Sequence, residues 1–84
     1  MFAKTHHSTF IDDMVIDIQE AQKLPIMVSL RSEDGKICCK MEKKIRSENE
    51  SIRWVGLNDL PYGVYILECC QGDEVIEMRM IKRV

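Results

Sequence analysis

Along most of this chain every second side chain is apolar, and that spacing predicts strands with one buried face. Met14, Ile16 and Ile18 alternate with Val15, Asp17 and Gln19, and Ile26, Val28 and Leu30 alternate with Met27, Ser29 and Arg31. The segment Ser32-Glu33-Asp34-Gly35-Lys36 follows; Asp-Gly between two alternating runs predicts a hairpin, because glycine accepts positive φ. The next run sets Ile37, Cys39 and Met41 against Cys38, Lys40 and Glu42. Ser51 to Leu57 reads as a further strand with blurred alternation, ended by Asn58 to Gly63, where proline and glycine break pairing. Val64 to Cys70 is rich in β-branched and aromatic residues, Gln71-Gly72-Asp73 is a tight turn, and Val75 to Val84 closes the chain, with Ile76, Met78 and Met80 set against Glu77, Arg79 and Lys82.

This gives six or seven strands at the spacing of an all-β sandwich or barrel. Residues 11–21 also fit an amphipathic helix with Asp12 near its start, the one helical competitor. The chain has 84 residues, enough for one domain. Residues 1–11 read as a flexible polar tail and residues 12–84 as a single β-sandwich domain.

The net charge of −2 argues against a nucleic-acid binder and against strong attraction to anionic membranes. No apolar stretch approaches the roughly 20 residues of a membrane-spanning helix. The first eight residues lack the apolar core of a secretory signal, so the expectation is either a protein that stays in the cytoplasm or an exported one whose signal has been removed.

Little in the sequence points to chemistry. The four cysteines form two adjacent pairs, Cys38-Cys39 and Cys69-Cys70, and strand parity turns Cys39 and Cys69 inward as small apolar residues. A Cys39–Cys69 disulfide is the alternative if their strands face each other. Adjacent cysteines on a strand diverge too far to chelate one zinc ion. His6 and His7 lie in the polar tail, and no serine sits in a nucleophile elbow, so no catalytic, cofactor-binding or metal-binding residue is expected. Lys40, Lys43, Lys44 and Arg46 read as a solvated face, and Trp54 as a cover for the core.

The run Leu57-Asn58-Asp59-Leu60-Pro61-Tyr62-Gly63-Val64-Tyr65-Ile66-Leu67 resembles the L-x-x-L-P-x-G-V-Y core of the C-terminal sorting domains of the Bacteroidetes type IX secretion system. Val28-Ser29-Leu30 with the Gly35-Lys36 hairpin is similar to that family's central strand-turn-strand, and Met80-Ile81-Lys82-Arg83 to its basic last strand, so the likeness covers residues 12–84. The resemblance implies an immunoglobulin-like antiparallel β-sandwich of about seven strands that addresses cargo for export across the outer membrane. It further implies that Leu60, Gly63 and Tyr65 specify the fold, and that Lys82 and Arg83 belong to the address shown to the secretion machinery. A family of small stand-alone periplasmic proteins with a similar sandwich is the alternative; it implies a structural or protein-interaction role in the periplasm. Both imply a protein partner at the periplasm or cell surface; the residues themselves predict no cofactor, and the alternating final strand, if it lies at a sheet edge, predicts a monomer or a weak edge-strand dimer.

Overall fold

The computed structural model describes residues 2–19, 24–47 and 49–83. Eight strands form: β1 (Ala3–Thr5), β2 (Thr9–Phe10), β3 (Met14–Ile18), β4 (Ile26–Ser32), β5 (Ile37–Lys43), β6 (Glu50–Trp54), β7 (Gly63–Gln71) and β8 (Glu74–Lys82). No helix occurs among the described residues, so β3 takes the place of the helical competitor, whose last two residues lie outside those described. Its buried Met14, Ile16 and Ile18 follow the period of two.

The strands pair as a three-stranded sheet, β1-β3-β6, and a five-stranded sheet, β2-β8-β7-β4-β5. One core cluster joins them: Ile16, Ile18 and Ile52 from the smaller sheet meet Val28, Leu30, Leu67 and Met80 from the larger. Each such aliphatic side chain contributes roughly 1.5–3 kcal/mol by leaving water. Two sheets in this order, with the chain crossing between them after β1, β2, β3, β5 and β6, make an all-β sandwich.

Three local expectations are corrected. The segment expected to be a tail carries β1 and β2, and Phe2, Ala3 and Phe10 lie in the core. β2 runs parallel to β8, through Ile81 N–H donating to Ser8 O and Arg83 N–H to Phe10 O, each at 2.8 Å, so pairing is not wholly antiparallel. In the β4–β5 pairing the register shifts between Leu30 and Arg31: Leu30 faces Cys39 but Arg31 faces Ile37. The extra residue, Cys38, is a bulge that turns Ile37 outward, away from the core face it was expected to share with Cys39 and Met41.

The turns follow their sequence. Gly35 N–H donates to Ser32 O at 2.9 Å with Gly35 at φ +89°, a conformation open to glycine. The blurred alternation after Ser51 reflects a strand that ends at Trp54. Ile52 and Trp54 are buried, Val55 is exposed, and Leu57 re-enters the core beyond the strand, its N–H donating to Asp12 O.

Candidate docking surface

The motif from Leu57 to Leu67 forms the corner that launches β7. Leu57 is buried, Leu60 packs against the core, and Gly63 opens the strand at φ +149°. Tyr65 buries its ring edge-on to Phe10 and donates its hydroxyl to Pro61 O at 2.5 Å. This bond, from a tyrosine near a strand start back to the preceding turn, has the geometry of a tyrosine corner. These residues therefore have a complete explanation in folding.

The side chains left over for function lie on the solvent face of the five-stranded sheet. Strand register stacks them in rows: Glu42, Met27, Cys70 and Val75; then Lys40, Ser29, Glu68 and Glu77; then Ile37, Arg31, Ile66 and Arg79; and finally Val64, Ile81 and Thr9. Glu68 and Glu77 stand directly opposite each other, an arrangement that alone would repel. Arg31 on the neighbouring strand resolves it, one guanidinium nitrogen 2.7 Å from Glu68 and the other bonded to Glu77. The face thus has an ion-paired polar centre between two apolar ends. Met27, Ile37, Val75 and Ile81 are 40–58% exposed there, half of the large apolar side chains that the described residues show to solvent. Next to Ile37 an open groove runs between the β4–β5 turn and the corner, with exposed Tyr62 on its rim.

The outer side of the smaller sheet is polar by contrast. His6 Nε2 lies 2.6 Å from Asp17 Oδ2, Ser51 Oγ donates to Asp17 Oδ1 at 2.7 Å, and Arg53 pairs with Asp13. The sequence alone places His6 in a solvated tail; only the pairing of β1, β3 and β6 brings these groups together. The cluster is not arranged as a nucleophile with its base. The carboxylate sits in the middle and accepts the serine's hydrogen bond itself, whereas an activated serine needs the imidazole at its oxygen. The hydrogen bond from Ser51, and then that to His6, hold Asp17 below the usual carboxylate range, which makes it a weak base.

The four thiols are free. Cys39 and Cys69 sit on β5 and β7 with β4 between them, roughly 10 Å apart at two strand spacings, beyond disulfide reach. Burial pushes the Cys69 thiol up to about 12 and raises Cys39 and Cys70 as well, so these three stay protonated and unreactive near neutral pH. Among the described residues no three His, Cys, Asp or Glu side chains gather as a metal site.

The two residues expected to form an address separate. Lys82 lies on the same side of β8 as Met80, not with Glu77 and Arg79; it is 3% exposed, and its ammonium donates to Arg83 O at 2.9 Å. Two residues along a strand share a face, so the expected opposition of Met80 and Lys82 was an error of parity. Only Arg83 offers its side chain to solvent. Lys40, Lys43, Lys44 and Arg46 are all exposed, but Lys40 is on the solvent face and Lys43 on the other, so they form no single stripe. No family model matches this chain, and no curated protein sequence matches it.

Proposed function

We propose that this chain is a non-catalytic protein-docking module that binds a partner through the solvent face of its five-stranded sheet. The observation that carries the reading is the grouping of Met27, Ile37, Val75 and Ile81 around the Arg31–Glu68–Glu77 centre, while the opposite sheet shows a polar exterior. Lys40, Arg31 and Arg79 balance Glu42, Glu68 and Glu77, so the face suits a protein surface and gives no net attraction to nucleic acid or anionic lipid. The test is capture of partners by the intact chain, by a Met27→Asp/Val75→Asp variant, and by an Arg53→Ala control on the other sheet. A protein retained by the wild type and the control but lost by the face variant is expected. Retention by all three, or capture of nothing by the wild type, overturns the reading.

A second reading makes the module an export address in the periplasm or at the cell surface, and the likeness of Leu57–Leu67 and of the last strand to type IX sorting domains favours it. Arg83 then carries the exposed charge of the address, with Lys82 holding the end of β8 in place. A reporter fused to the whole chain in a host with that secretion system is expected outside the cell; retention in the periplasm overturns this reading.

A further inference from the structure

The five-stranded sheet ends at β2, two residues long, on one side and at β5, seven residues long, on the other. β5 is the longer edge, and an edge strand presents unpaired N–H and C=O groups to any strand that can align with it. The Cys38 bulge interrupts this edge, leaving Cys39–Lys43 as its regular part, with Met41 at the centre.

We propose that β5 pairs antiparallel with β5 of a second copy of this chain, about a two-fold axis through Met41. In that register Lys40 lies opposite Glu42 of the second copy, and Glu42 opposite Lys40 of the second copy, two complementary pairs on the solvent face. Cys39 meets Lys43 on the other face. The half-buried Met41 meets its own copy and loses its remaining exposure to water. The neighbouring registers fail. A two-fold axis at Lys40 sets the two Lys40 ammonium groups against each other; one at Glu42 opposes the two Glu42 carboxylates; one at Cys39 drives each bulge into the facing strand. Lysines and bulges on an edge normally repel other chains. Here they disfavour each of these neighbouring alignments, so a single pair of residues sets both attraction and register.

The pairing makes one continuous sheet from both copies and places their solvent faces side by side. It does not depend on the face reading, because its readout is self-association of the purified chain and not capture of another protein. The test is sedimentation of the intact chain across concentration, with circular dichroism to confirm that each variant keeps its strand content. The wild type is expected to dimerise. K40E and E42K, each converting two attractive pairs into two repulsive ones, are expected to weaken the dimer at least about tenfold. The K40E/E42K double variant restores it by exchanging the charges, and a mixture of K40E with E42K forms the mixed dimer. Oxidised Met41→Cys, made with Cys38 and Cys39 changed to serine, crosslinks through position 41, where facing Cα atoms come within disulfide range. A wild type that stays monomeric up to about 1 mM, single variants that dimerise unchanged, or a mixture that fails to recover overturns the proposal.

Discussion

Tyr65 shows how much one side chain settles. Its ring closes the core against Phe10, and its hydroxyl ties the start of β7 to the turn before it through Pro61 O. Tyr65→Phe keeps the ring and removes the bond; water reaches the freed carbonyl because Pro61 is exposed. The expected loss is about 0.5–1.5 kcal/mol, read from the urea midpoint with an unchanged slope. Asp17 makes a different kind of contribution. Ser51 and then His6 depress its carboxyl below the usual 3.8, so its stabilisation is present above the unfolded value and is lost as pH falls through the folded one. Denaturation of the wild type and of Asp17→Asn is therefore expected to differ at pH 5, with the gap closing progressively below about pH 4.

At the scale of elements, β3, β4, β7 and β8 were legible because five or more alternating residues outweigh local noise. β1 and β2 were not. They have three and two residues, too few for a period, and neither pairs with the strand next to it in the chain: β1 pairs with β3 and β2 with β8. The Cys38 bulge was equally hidden, because an inserted residue leaves no compositional trace between two apolar neighbours and shows only as a change of register against β4. The same logic explains the candidate surface. Met27, Val75 and Ile81 look unremarkable singly, and only cross-strand pairing gathers them. The N-terminal strands carry a direct test. A chain beginning at residue 12 loses the buried Phe2, Ala3 and Phe10, and the two phenylalanines alone represent on the order of 3–6 kcal/mol. That rivals the whole stability of a domain this small, so the shortened chain is expected to lose its cooperative thermal transition.

For the molecule as a whole, stability rests on burial and strand pairing, without covalent staples. All four cysteines are free thiols, and the melting temperature is expected to be the same with and without reductant. A thiol-reactive probe is expected to label the exposed Cys38 first, while the fully buried Cys69 reacts only as fast as the sandwich opens globally. The parallel pairing of β2 with β8 has a mechanical consequence. Because the two strands run in the same direction, tension between the two ends of the chain slides them lengthwise past each other. The bonds from Ile81 to Ser8 and from Arg83 to Phe10 then bear the load together and do not peel apart one after the other. The first and last segments thus form a latch that resists stretching, because its hydrogen bonds are loaded in shear and yield together.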